Sequence, residues 1–122
     1  MKRLNDLYKK FENNENYKKI IEESIKKIEK IKNKEALVFE RKTGFLMENN
    51  SEYNLREDIE GIITNVTKTN INEIIKYIET NTNYYYILEN DNSFIKGEKY
   101  LLKFVDKNFN EINKTSFVII VL

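Results

Sequence analysis

The chain of 122 residues carries 21 Lys and Arg against 20 Asp and Glu, with 40% hydrophobic and 12% aromatic residues. That length fits one domain with a single core, and the apolar share is too high for general disorder. Cys, His, Trp and Pro are absent, which removes disulfides, thiolate metal sites, cysteine nucleophiles, imidazole bases and haem held by a proximal histidine.

A net charge of +1 provides no basic footprint for nucleic acid, and only Arg3, Arg41 and Arg56 offer a guanidinium fork. The polar N-terminus lacks the apolar run of a signal peptide, and no segment has the apolar length to span a bilayer. The expectation is a cytoplasmic protein. Its Lys-, Asn- and Ile-rich composition fits a bacterial or phage genome poor in G and C.

Residues 2–12 place Leu4, Leu7, Tyr8 and Phe11 at helical spacing. A polar stretch, Glu12 to Asn16, then interrupts the pattern, with Asn16 as an N-cap candidate. From Tyr17 to Lys32 the spacing predicts a helix. Ile21, Ile25 and Ile28 lie on one face, with Ile20 and Ile31 beside them. The pairs Glu22/Lys26 and Glu23/Lys27 each contribute about 0.2–0.5 kcal/mol. The seam Leu4, Leu7, Phe11, Ile21, Ile25 and Ile28 is the candidate interface of a homodimer through this N-terminal segment, 1–33.

At Glu35 the pattern changes. Ala36 to Arg41 is apolar and β-branched, Lys42-Thr43-Gly44 is a turn signal, and Phe45-Leu46-Met47 resumes an apolar run. Together they predict a β-hairpin. Residues 55–80 return to a helical period. Leu55, Ile59, Ile62, Ile63 and Val66 form one set and Ile71, Ile74, Ile75 and Ile78 another, with Thr67 to Asn70 as a break and Asn70 as a cap. The last third reads as three strands, at Tyr84–Leu88, Tyr100–Val105 and Ser116–Leu122. The last is apolar on both faces and belongs inside the sheet.

The predicted class is α+β: an N-terminal helix, a hairpin, a helical middle layer, then three antiparallel strands. That order resembles a PAS domain, the sensory module with a five-stranded antiparallel sheet and helices over one face. Tyr17 to Ser24 looks like the helix that leads into many such domains, and Ala36 to Asn50 is similar to their first hairpin. Tyr100 to Leu122 looks like the last two strands, joined by an Asp-x-x-Asn-type turn at Asp106 to Asn110. A profilin-like or roadblock-type module shares the element order. The resemblance implies a PAS-like domain at 34–122 that binds a small molecule or mediates dimerisation, with an output domain or protein partner and no catalysis. The absence of His and Cys excludes histidine-held haem and flavin–cysteine photochemistry, so no cofactor is expected. Candidate pocket residues are Phe39, Ile63, Ile78, Tyr85, Phe104 and Ile120.

Other constellations have simpler explanations. A winged-helix DNA-binding reading of the middle would place Asn72, Glu73, Lys76 and Glu79 against phosphate, an acidic face without Arg. Strand alternation sends Tyr84 and Tyr86 to one face and Tyr85 to the other, so the three cannot form one stacking platform. The acidic loop from Glu89 to Glu98 lacks Gly and Glu at the positions that a Ca²⁺-binding EF-hand needs. Glu57, Asp58 and Glu60 fit the start of a helix better than an acid–base pair. The other function class in view is a small inhibitor or adaptor acting by protein–protein contact.

Overall fold

The computed structural model describes residues 1–42, 62–90 and 98–122. Among these the chain is α+β, in the order α1 (Lys2–Phe11), α2 (Glu15–Ile31), β1 (Glu35–Lys42), β2 (Ile62–Asn70), α3 (Ile71–Asn81), β3 (Tyr85–Asn90), β4 (Glu98–Val105) and β5 (Glu111–Val121). The strands form one antiparallel sheet, β2-β1-β5-β4-β3. The doubly apolar β5 sits at its centre, as its composition predicts.

The cap of helix α2 lies two residues before the predicted one. Asn14, not Asn16, accepts a hydrogen bond from the Tyr17 N–H, 3.2 Å. Its buried stripe is Ile21, Ser24, Ile28 and Ile31, while Ile25 is only partly buried. Just beyond the C-cap, Asn33 takes the left-handed conformation (φ 69°), which Asn tolerates better than most residues. Asn33 also clasps the start of α3. Its N–H donates to Asn72 Oδ1 (3.0 Å), and its carbonyl accepts from Asn70 Nδ2 (3.1 Å). Asn70 caps α3 as expected, accepting from the Asn72 N–H.

Among the described residues of the stretch 55–80, the helical reading holds only from Ile71. Residues 62–70 are β2, paired with β1 from Glu35↔Asn70 to Lys42↔Ile62. The physical reason is composition. Residues 62, 63, 64, 66, 67 and 69 are all β-branched, which favours a pleated edge over a helix. The expected break at Thr67–Asn70 is the end of that strand, so α3 follows a strand and not a preceding helix of a DNA-binding pair. The predicted second hairpin strand, Phe45 to Met47, lies outside the described residues, as do Leu55, Ile59, Glu57, Asp58 and Glu60.

The register assigns the side chains to two faces. On one face Ala36, Val38, Tyr86, Leu88, Tyr100, Leu102, Phe104, Phe117 and Ile119 are buried, in one cluster with residues of all three helices. Leu4, Leu7, Ile21, Ile28, Ile71 and Ile78 belong to that cluster, so residues 1–33 and the sheet share one core. The N-terminal seam is therefore consumed within the monomer. Leu4, Leu7 and Ile21 are 0% exposed and Ile28 3%; a second copy cannot use them without opening this core. Phe11 and Ile25 pack at its margin.

Helices α1 and α3 hold each other end to end. Met1, the N-cap residue of α1, makes no side-chain capping bond. Instead the Glu79 carboxylate of α3 accepts from the Lys2 and Arg3 N–H groups, each 3.3 Å. In return the Arg3 guanidinium donates to Glu79 O (3.1 Å) and Tyr84 O (3.0 Å). It brings positive charge to the end of α3, whose last turn holds no basic residue.

Candidate functional site

The helix-facing side of β1 reads Ala36, Val38, Glu40. The first two are core residues, and the third is a carboxylate in the same row. Its neighbours continue the exception. Thr69 pairs with Ala36, Thr67 with Val38, and Thr115 with Lys42, the next residue of that row. Beneath α3 the sheet thus presents carboxylate and hydroxyl beside the hydrocarbon of Val38, Phe117 and Ile119.

Over this corner α3 does not close down. A cavity of about 260 Å³ lies between Val38, Glu40, Thr67, Thr69 and Phe117 of the sheet and Glu73, Ile74 and Tyr77 of α3. A second, of about 180 Å³, runs on towards Thr82, Tyr84, Phe104, Ile112 and Thr115. The two share Glu40, Tyr77 and Phe117, so they form one groove along the helix–sheet junction. Each is at or below the roughly 300–1,000 Å³ of a typical ligand site, and together they offer room for a small aromatic body. The Glu40 carboxylate is 24% exposed and pairs with Lys42 Nζ at 3.5 Å. Tyr77 is 53% exposed at the groove mouth, and the Phe117 ring packs edge-on to Phe104 at 6.0 Å.

Of the expected pocket residues, Phe104 lines this groove. Ile78 is on the right helix but points into the closed core, 0% exposed. Ile63 lies on β2, not on a helix. Phe39, Tyr85 and Ile120 belong to the opposite sheet face: Phe39 pairs with Val118, Ile120 with Leu37, and Tyr85 with Val105. The six therefore do not meet around one cavity, because their strand parity differs. Tyr84 and Tyr86 do share a face, as alternation requires, but Tyr86 is fully buried and Tyr84 46% exposed.

The residues missed were Glu40, Thr67, Thr69, Glu73 and Tyr77. Glu40 carried a signal, since a carboxylate follows Ala36 and Val38 at the next core-facing position. The threonines carried none while 62–66 read as helix.

Other polar groups are satisfied structurally. Tyr86 donates to Glu79 at 2.6 Å; burial first, then that bond and the carboxylate charge, push its hydroxyl far above the ordinary tyrosine range. Tyr100 is raised in the same sense by burial and its 2.7 Å bond to Glu98. That bond, with Lys30 nearby, holds Glu98 below the usual carboxylate range. Burial opposes the charge of Lys103, but Glu89 (3.1 Å) and Glu111 (3.6 Å) outweigh it and hold the ammonium group above its usual range. Among the described residues no cluster of three or more His, Cys, Asp or Glu is placed to hold a metal, and no helix is long and apolar enough to cross a membrane.

Comparison with protein-family models, curated proteins and solved structures finds no match.

Proposed function

We propose that this chain is a non-catalytic, PAS-like sensory module that takes a small molecule in the groove between α3 and the sheet. The observation that carries the reading is the groove itself: aromatic and aliphatic walls interrupted by a few polar groups, at a junction where a helix can shift on a sheet. The route outward is also laid out. Helix α3 is tied to the end of α2 through Asn33, Asn70 and Asn72, and to the start of α1 through Glu79 and Arg3. A ligand that favours one seating of α3 biases both N-terminal helices, and a partner or output domain would read that bias. A dimer through the N-terminal helices would have to use their outer surface, because the apolar seam lies inside the monomer.

The test is a ¹H–¹⁵N NMR screen of the full chain against small neutral and charged aromatic compounds. Binders are expected to shift the amides of Thr69, Ile74, Tyr77 and Phe117. Thr67→Trp, which fills the groove from an exposed position, is expected to abolish those shifts in a folded protein. If no compound perturbs these amides, or if Thr67→Trp leaves binding unchanged, the reading fails.

A further inference from the structure

The rings along the groove narrow the ligand class, an inference that rests on the ligand-binding reading above. We infer that the groove selects flat mono- or bicyclic aromatic ligands with a hydrogen-bonding edge, over puckered saturated bodies of the same outline. Where the two cavities meet, both are walled by Tyr77 from α3 and by Phe117 from β5. A ring that enters there has an aromatic side chain on the helix side and another on the sheet side. Stacking on such rings is open to any planar π system and closed to a cyclohexane-like body.

The two walls are held differently. Phe117 is 6% exposed and packs edge-on to Phe104 at 6.0 Å, and Phe104 meets Tyr84 at 5.5 Å. Tyr84, Phe104 and Phe117 all line the second cavity, so an aromatic run continues along it. Phe117 cannot swing over to fill the groove without giving up its core contacts. Tyr77 is 53% exposed. It is a large ring left half in water, and a guest ring laid on it removes apolar area from solvent. The hydroxyls of Thr67 and Thr69 supply a polar side to the first cavity from β2. A hydroxyl both donates and accepts, so it serves a phenol, a lactam or a ring nitrogen alike. It fixes the edge of the ligand and not its charge.

The experiment titrates the full chain with 2-naphthol and decahydro-2-naphthol, which share a carbon skeleton and one hydroxyl and differ in planarity. The saturated probe is no less apolar, so hydrophobic burial alone predicts no preference for the flat one. 2-Naphthol is expected to shift the Thr69, Tyr77 and Phe117 amides with an affinity about threefold to tenfold above that of its saturated counterpart. Its own ring protons should move upfield as they stack. Tyr77→Leu, at an exposed helix position, keeps an apolar wall and removes the ring. It is expected to erase the preference by weakening 2-naphthol while leaving the saturated probe unchanged. Thr67→Val with Thr69→Val, which suits a strand, is expected to weaken 2-naphthol about threefold. Equal or tighter binding of the saturated probe overturns the flat class while leaving a ligand groove in place. An unchanged 2-naphthol affinity in either variant overturns it too. Absence of groove shifts with both probes overturns this inference; the groove reading itself fails only if the wider screen is also silent.

Discussion

Glu79 is the residue whose removal should cost most for its size. Its carboxylate serves four partners: the buried Tyr86 hydroxyl at 2.6 Å, the Lys2 and Arg3 N–H groups that open α1, and the N-terminal ammonium group of Met1 at 3.8 Å. A hydrogen bond to a charged group contributes about 1.5–3 kcal/mol, against about 0.5–1.5 kcal/mol for a neutral one. The two α1 contacts are long at 3.3 Å and add capping of order 0.5–1 kcal/mol. Glu79→Ala therefore costs about 2–4 kcal/mol, since it also leaves the Tyr86 hydroxyl buried and unpaired. Glu79→Gln keeps the shape but loses the charge, and should cost about half as much.

Urea unfolding followed by circular dichroism measures both, and the chain's lack of Trp makes that signal the practical one. Tyr86→Phe removes the donor without opening a cavity, and the Glu79→Ala/Tyr86→Phe double variant should recover about 1–2 kcal/mol relative to the sum of the singles. If Glu79→Ala falls within about 0.5 kcal/mol of the parent, the reciprocal clasp of α1 and α3 is not a stabilising unit. The pair also sets a direction at high pH. The folded-state pKa of Tyr86 is raised, so its contribution is complete below the unfolded tyrosine value of 10.0 and is lost as pH climbs above it. Tyr86→Phe should flatten that alkaline decline, leaving the smaller part due to Tyr100.

Ser24 Oγ accepts from the Leu88 N–H (2.9 Å) and shares its proton between the carbonyls of Ile20 (3.0 Å) and Leu88 (3.3 Å), closing the outer edge of β3. Ser24→Ala should cost about 1–3 kcal/mol in thermal or urea unfolding and speed hydrogen exchange at the Leu88 amide; unchanged exchange would refute it. Phe109 stacks on Tyr17 at 4.2 Å and meets Phe11 edge-on at 5.3 Å, yet holds a positive φ of 66°. Phe109→Ala should be less stable than Phe109→Gly by about 1 kcal/mol, because only the glycine relieves the backbone; the reverse order would contradict the left-handed assignment. Asp106 Oδ1 accepts from the Asn110 (2.9 Å) and Asn108 (2.8 Å) N–H groups, which hold its carboxyl below the usual aspartate range. Its contribution is present above pH 3.8 and lost as pH falls through the lower folded value. A carboxyl ¹³C titration should find Asp106 below that value, and Asp106→Ala should weaken the acid dependence of unfolding.

Where periodicity was long and single-valued, it located the elements. Helix α2, the three C-terminal strands and the central place of β5 follow from patterns that admit one reading. β2 was not legible because Ile59, Ile62, Ile63 and Val66 also satisfy helical spacing, and Asn70 is at once the last residue of the strand and the cap of α3. With no loop between them, the strand borrowed the helix's period. The N-terminal seam shows a different limit. Leu4, Leu7, Ile21 and Ile28 are apolar at regular spacing whether they meet a second copy or their own sheet, and only the fold shows that the sheet covers them. Ser24, a polar residue that the apolar pattern leaves out, is part of the buried stripe because it serves an edge strand.

The candidate site was illegible for the same reason that makes it informative. The most apolar members of facing elements, taken as pocket residues, are those that build the core. A pocket differs from a core where polar groups stand in core-facing rows, and such rows become visible only once strand parity is known. Phe39, Tyr85 and Ile120 fail on parity, and Ile78 fails because it is better packed than a ligand site allows. Glu40 meets the converse test. It follows Ala36 and Val38 in register, faces Thr67 and Thr115 across neighbouring rows, and sits where α3 leaves the sheet uncovered. Filling that corner with hydrocarbon, as in Glu40→Leu with Thr69→Val, should therefore stabilise the fold while closing the groove to any ligand. A double variant less stable than its parent would mean that Glu40 is held there by its polar partners and that the polar corner is structural.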